Sequence, residues 1–139
     1  MSGCLPCDLE LAPAAAVVYR DADWACEVAE GYDVPGWYVL RVRRHAEGWG
    51  ALTPSEATGF GVVSQRVTRA IQAATSAPTV YFLSFGENYA HLHFLLITRP
   101  ADLPPELRGA AILTLRGTHR DQPASLAAAA AVRQDLTSD

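Results

Sequence analysis

Two short patterns contain side chains that can do chemistry: a Cys4-x-x-Cys7 pair near the N-terminus and a His91-x-His93 pair far downstream. Cysteine thiolates and imidazoles are the usual protein ligands of zinc, and a histidine with a free ring nitrogen can act as a nucleophile. A C-x-x-C pair in a cytosolic protein is typical of half a zinc site or of a redox dithiol. The redox motif follows a strand, and no strand-like run precedes Cys4, so the sequence favours the metal site.

The two downstream histidines lie in a strand-like run at residues 90–98. Strand alternation places His91 and His93 on one face, about 7 Å apart. Two half-exposed histidines on a polar sheet face remain the alternative interpretation. With Cys4, Cys7 and His45, however, His91 would complete a tetrahedral Cys₂His₂ zinc shell. Such a shell leaves no coordination position for water, so the expected cofactor is one structural Zn²⁺ per chain.

The elements that must position these residues follow from local patterns. Apolar runs at 16–20 and 24–29 predict a hairpin, and alternation at 37–43 predicts a third strand with one wetter face. Arg41, Arg43 and Arg44 are expected at a solvated strand edge. Thr53-Pro54-Ser55-Glu56 predicts a capped helix start, and the apolar stripe after it predicts a long helix ending near 76–78. Strand-like runs at 79–85 and 90–98 and an alanine-rich helix at 123–136 complete the order. This order predicts an α+β fold with an antiparallel sheet of about five strands, one long helix and a C-terminal helix.

Composition narrows the function further. The chain has 139 residues, a net charge of −4 and eleven basic residues, all of them arginine. One domain spanning 1–139 is expected at this length. The absence of lysine excludes Schiff-base chemistry, and the negative charge argues against nucleic acid as a partner. No apolar run reaches the roughly 18 residues of a membrane span. Residues 1–7 contain neither a basic region nor an apolar core, so a cytoplasmic location is expected.

Taken together, these pieces resemble the histidine-triad superfamily of nucleotide-binding hydrolases and transferases, including its zinc-containing bacterial branch and galactose-1-phosphate uridylyltransferase-like proteins. The resemblance covers residues 4–99, and 100–139 form an extension outside it. The matching segments, in order, are Cys4-x-x-Cys7, Val18-Tyr19-Arg20-Asp21, Val34-Pro35-Gly36 leading into Tyr38-Val39-Leu40, Arg43-Arg44-His45, Leu52-Thr53-Pro54-Ser55-Glu56, the long helix to Ala74, Gly86-Glu87-Asn88 and His91 to Arg99.

The resemblance implies roles for individual residues. The family's strand carries three alternating histidines, and the middle one attacks the α-phosphorus of a nucleotide to give a covalent nucleotidyl-histidine. In this chain His91 takes the first position, His93 the nucleophile position and Leu95 the third. A shifted register, with Tyr89 first and His91 as the nucleophile, remains the alternative. Zinc-containing relatives bind the metal through two cysteines and two histidines, which match Cys4, Cys7, His45 and His91. The resemblance also implies a homodimer.

The phosphate pocket departs from the family pattern. Trp37 and Leu95 stand where the family has histidines, and Glu87-Asn88 replaces a Gln-Ser pair. These replacements remove donors that would stabilise a phosphorane-like transition state. Asn88 is a candidate phosphate donor or a turn cap, and Glu87 a candidate acid or base or a solvated carboxylate. Trp37 is a candidate stacking surface or a core aromatic, and Arg99 a candidate phosphate ligand.

Two functions therefore follow from the sequence. The first is a hydrolase or nucleotidyl transferase that cleaves a nucleotide phosphate bond through His93. The second is a diverged protein that has lost nucleotide hydrolysis and binds, or does acid–base chemistry on, a different small molecule in the same groove.

Overall fold

The computed structural model describes residues 3–138, so Met1, Ser2 and Asp139 of the expected 1–139 domain lie outside the described part. The sheet contains β1 (Val17–Arg20), β2 (Trp24–Glu27), β3 (Trp37–Val42), β4 (Thr79–Leu83) and β5 (His93–Arg99). Its strand order is β1-β2-β3-β5-β4, and every neighbouring pair is antiparallel. The predicted antiparallel sheet of five strands is confirmed.

The described α-helices are the short α1 (Leu5–Asp8), the long α2 (Pro54–Thr75) and the C-terminal α3 (Gln122–Thr137). Local chemistry determines where α2 begins. The Thr53 hydroxyl accepts the Glu56 backbone N–H at 3.1 Å, and the Glu56 carboxylate accepts the Thr53 backbone N–H at 2.8 Å. This capping box satisfies two backbone donors that a helix start leaves unpaired. The α+β class, the long helix and the C-terminal helix are confirmed.

One face of the sheet packs against α2 and α3. Tyr38 and Leu40 of β3 and Phe94 and Leu96 of β5 point into this core, together with side chains of both helices. The alanine-rich α3 therefore covers the hydrophobic side of the sheet, where its small side chains allow close packing against α2.

The opposite face is also covered, and this corrects the expectation of a wetter side to β3. All six residues of β3 are buried. The N-terminal segment covers Val39, while a 3₁₀ helix at Gly109–Gly117 inserts Ile112 against Trp37 and Ile97. Arg41 is 0% exposed and paired with the equally buried Glu27, so it does not lie at a solvated edge.

The last strand starts later than predicted. β5 begins at His93, and His91 forms only an isolated antiparallel bridge with Glu47. Because His91 precedes the regular ladder, its side chain lies at the end of the sheet, beside the N-terminal segment. Among residues 3–138, no helix is both long and apolar enough to cross a membrane.

Candidate functional site

Four ligand-type side chains that are distant in sequence lie together at the end of the sheet. Cys4 is the residue before α1, and Cys7 lies one helical turn later. His45 follows β3, and His91 precedes β5. Their ligand atoms all lie within 4.8 Å of one another. The structure therefore brings together all four residues that the sequence predicted as a metal shell.

The distances within this cluster fit a tetrahedral zinc shell. The Cys4 sulfur lies 3.6 Å from His45 Nδ1 and 3.5 Å from His91 Nδ1. The Cys7 sulfur lies 3.2 Å from each of the same two nitrogens. Zinc bonds of about 2.3 Å to sulfur and 2.0–2.1 Å to nitrogen, at tetrahedral angles, separate sulfur and nitrogen by about 3.5 Å. Both the donor types and their spacing fit Zn²⁺.

Hydrogen bonding sets the tautomer of His91. Its Nε2 lies 2.5 Å from the Val42 carbonyl, and a carbonyl can only accept, so Nε2 carries the proton. The Nδ1 lone pair is then directed at the two sulfurs, as a metal ligand requires. Burial is the main cause that lowers the pKa of His91, which keeps the ring neutral. On the exposed side, His45 Nε2 lies 3.4 Å from the Glu47 carboxylate, which can orient that ring in the same way.

The Cys7 thiol needs a cation to become a thiolate. Burial, together with the neighbouring Cys4, raises the pKa of Cys7 to about 11. Without metal, this thiol stays protonated at neutral pH. A bound divalent cation would displace the proton and compensate the thiolate charge.

His93 lies next to this cluster but faces a different space. Its Nδ1 lies 2.7 Å from the His91 carbonyl, so Nδ1 carries a proton, and in the neutral ring Nε2 has the free lone pair. The His93 side chain lines a cavity of about 490 Å³. Nε2 is thus the ring nitrogen available to a molecule in that cavity.

The cavity contains most of the residues predicted to bind substrate. Trp37, Glu87 and Asn88 line it, and Leu95 lines it where the family pattern has its third histidine. Arg99 does not. It lies at the far end of β5, about 20 Å along the strand from His93, and its guanidinium donates to the Pro100 carbonyl at 3.3 Å. The cavity geometry gives no support to the predicted role of Arg99.

The remaining lining residues were not identified from the sequence. They are Leu5, Tyr32, Val39, Leu83, Phe85, Gly86, Tyr89, Leu113 and Arg116. Two of them, Leu113 and Arg116, belong to the segment after Pro100, to which the sequence assigned no role. The Arg116 guanidinium lies 3.9 Å above the Tyr32 ring, and its Nε donates to the Gly31 carbonyl at 2.8 Å. The one sequence signal for this cavity lining is the set of aromatic residues at positions 32, 37, 85 and 89.

Charge is sparse around His93. Among the described residues that line the cavity, Arg116 is the one cation and Glu87 the one carboxylate, and the rest are mainly aromatic and aliphatic. This composition suits a ligand with a flat apolar part and few charges.

Comparisons with known proteins locate this arrangement among known folds. No family model and no curated protein sequence matches the chain. A hypothetical histidine triad nucleotide-binding protein from Sulfolobus tokodaii superposes with a TM-score of 0.73 at 16% identity, over 97% of this chain and 93% of that one. A Zn-bound histidine triad family protein from Mycobacterium smegmatis gives 0.72 at 18% identity, over 97% and 94%.

A uridylyltransferase structure gives a TM-score of 0.69 at 17% identity, over 97% of this chain and 45% of that one. Identities this low establish the fold and leave the activity to be tested. The chain has the histidine-triad fold, as its sequence motifs led us to expect.

Proposed function

We propose that this protein is a histidine-triad-like hydrolase or nucleotidyl transferase that cleaves a nucleotide phosphate bond through His93. The observation that carries the proposal is the tautomer of His93: Nδ1–H is tied to the His91 carbonyl, so Nε2 is the nitrogen available to the cavity. Support also comes from His91, whose position among the metal-ligand side chains favours the register with His93 as the nucleophile.

The proposed reaction has two steps. The Nε2 lone pair of His93 forms a bond to the α-phosphorus, and the bond from phosphorus to the leaving group breaks, with the electron pair going to the leaving group. A proton from solvent neutralises the departing amine or oxyanion. Water or another acceptor then attacks phosphorus and loses a proton to solvent, the bond from phosphorus to Nε2 breaks with its electron pair returning to Nε2, and the nucleotide is released. Asn88 lines the cavity and can donate its amide to a phosphoryl oxygen.

Zinc in this proposal is structural, with one ion per chain held by Cys4, Cys7, His45 and His91. Four protein ligands close the shell, so the metal would stabilise the fold and take no part in the bond changes. The ion would connect the N-terminal segment to the ends of β3 and β5. We include a cytoplasmic location in the proposal because metal binding needs Cys4 and Cys7 as reduced thiols.

A second candidate function is favoured by the cavity wall. Trp37 and Leu95 offer no phosphate donors equivalent to histidine, and Glu87 repels an anion. In this alternative the protein binds a different, less anionic small molecule, or His93 and Glu87 do acid–base chemistry on it.

We also propose a homodimer, since β4 lies at an edge of the sheet where a second copy can pair.

Mass spectrometry can test the first function directly. The purified protein is incubated with an adenosine phosphoramidate and, separately, with a dinucleoside polyphosphate, and the reaction is quenched early. We expect product release and a nucleotidyl adduct, both lost in His93→Ala. His119→Ala is the matched control, because His119 is exposed and does not line the cavity. If the wild-type protein gives neither turnover nor adduct with either compound, the first function is wrong and the second stands.

A further inference from the structure

The N-terminal segment that holds Cys4 and Cys7 continues directly into a cluster of charged side chains. Glu10 lies in a 3₁₀ helix at Leu9–Leu11, one turn after Cys7. Its carboxylate accepts hydrogen bonds from two arginines: from Arg41 Nη2 at 2.5 Å, and from Arg43 Nη2 at 2.8 Å and Nε at 3.1 Å. One carboxylate thus holds two guanidinium groups that belong to β3 and its C-terminal end.

The backbone of the same segment is also fixed. Arg20, the last residue of β1, donates Nη2 to the Leu9 carbonyl at 2.7 Å. Arg20 and Arg41 in turn share the Glu27 carboxylate, which is 0% exposed. Three arginines, two in the sheet and one directly after β3, therefore bind the consecutive residues Leu9 and Glu10, and Glu27 is the buried counter-charge.

Arg41 places this cluster beside the functional site. It pairs directly across the sheet with His93, and its side chain is completely buried. A buried guanidinium is costly unless its charge is compensated, and Glu27 and Glu10 both compensate Arg41. Burial of this charge and docking of the N-terminal segment are thus coupled, because Glu10 is part of that segment.

We propose that the Glu10–Arg41–Arg43 cluster is a positioning device for the metal site: it docks the N-terminal segment so that Cys4 and Cys7 face His45 and His91 before metal binds. This inference rests on the metal site proposed above. Glu10 and the arginines contribute no ligand atom. They hold the segment in place in advance, so the two thiols lose less conformational freedom when zinc binds. The Glu10 carboxylate also offsets the positive charge of the three arginines, which would otherwise repel an incoming cation.

Zinc affinity is the decisive measurement. The zinc dissociation constant is measured by competition with a chromophoric chelator at pH 7.5, for the wild type, Glu10→Gln and Arg43→Gln. We expect each substitution to weaken zinc binding by about tenfold, the lower end of the range for residues that support metal ligands. Glu10→Gln keeps the size of the side chain, so the loss reports charge and hydrogen bonding.

A matched control separates positioning from general stability. Asp33, in the loop before β3, forms an ion pair at 2.7 Å with Arg120, which precedes α3. This pair also joins distant parts of the chain, and neither residue belongs to the Cys/His cluster. We expect Asp33→Asn to lower the melting temperature and leave the zinc dissociation constant within twofold of wild type. The proposal is overturned if Glu10→Gln binds zinc like wild type, or if Asp33→Asn weakens binding equally. A wild-type protein that binds no zinc would instead refute the metal site itself.

Discussion

Glu27 is expected to be one of the most sensitive positions in the protein. Its carboxylate accepts Arg41 Nη2 at 2.6 Å, Arg41 Nε at 2.9 Å and Arg20 Nε at 3.0 Å, and the Arg41 and Glu27 side chains are both 0% exposed. Glu27→Gln keeps the shape but removes the charge that compensates Arg41. Removing one partner of a buried ion pair costs about 3–5 kcal/mol. Glu10 still faces Arg41, so we expect the lower end, about 3 kcal/mol of unfolding free energy.

Urea denaturation of the zinc-saturated protein, followed by circular dichroism, measures this loss. For a domain of this size, about 3 kcal/mol corresponds to a fall in melting temperature of about 10 °C. Glu106→Gln removes the same charge at an exposed position and should change the unfolding free energy by less than about 0.5 kcal/mol. A loss below about 1 kcal/mol for Glu27→Gln would show that Arg41 does not depend on the Glu27 charge for its burial.

Three further predictions concern pH, metal and the cavity. Hydrogen bonds from Arg43 are the main cause that lowers the pKa of Glu10 to about 2. The stability this carboxylate contributes is therefore present above about pH 4.5 and lost as the pH falls toward 2. The Glu10 carboxylate is partly exposed, so we expect its contribution to the free energy of unfolding to be about 1–2 kcal/mol. In urea titrations of zinc-free protein at different pH values, Glu10→Gln should lack this part of the pH dependence. Zinc added to metal-free protein at pH 7.5 should bind at about one ion per chain and displace the Cys7 proton. An indicator dye should record about one released proton fewer for Cys7→Ser than for the wild type. Replacing Leu95 and Trp37 by histidine restores two donors, so turnover of a dinucleoside polyphosphate should rise at least about tenfold in a coupled assay; an unchanged rate would contradict the role given to these positions.

Local chemistry made most of the elements predictable. The Thr53–Glu56 capping box, for example, determines the start of α2 through contacts within four residues, so the sequence contains the whole signal. The clustering of Cys4, Cys7, His45 and His91 was predictable for another reason. Cysteine and histidine have few common roles in combination, and the order of motifs around them resembles one family.

Long-range burial explains what the sequence did not predict. When only the sequence is known, charged residues are expected at exposed positions, because fully buried charges are rare unless they are paired. The partner of Arg41 is Glu27, fourteen residues away on another strand, and no periodicity marks the two as a pair. The position of Arg116 is similar, since it reaches Gly31 across 85 residues from a 3₁₀ segment that has no amphipathic pattern.

The Cys4–Cys7–His45–His91 cluster and the cavity are linked through one residue, His91. The ring of His91 faces the two cysteines, while its backbone carbonyl accepts the Nδ1 proton of His93. Whatever holds His91 in place therefore also sets the tautomer of His93. A neutral imidazole with a free Nε2 serves equally well as a nucleophile toward phosphorus or as a base toward another substrate. The choice between the two functions consequently depends on the cavity wall, where Trp37, Leu95 and Glu87 determine how much negative charge a bound molecule can carry.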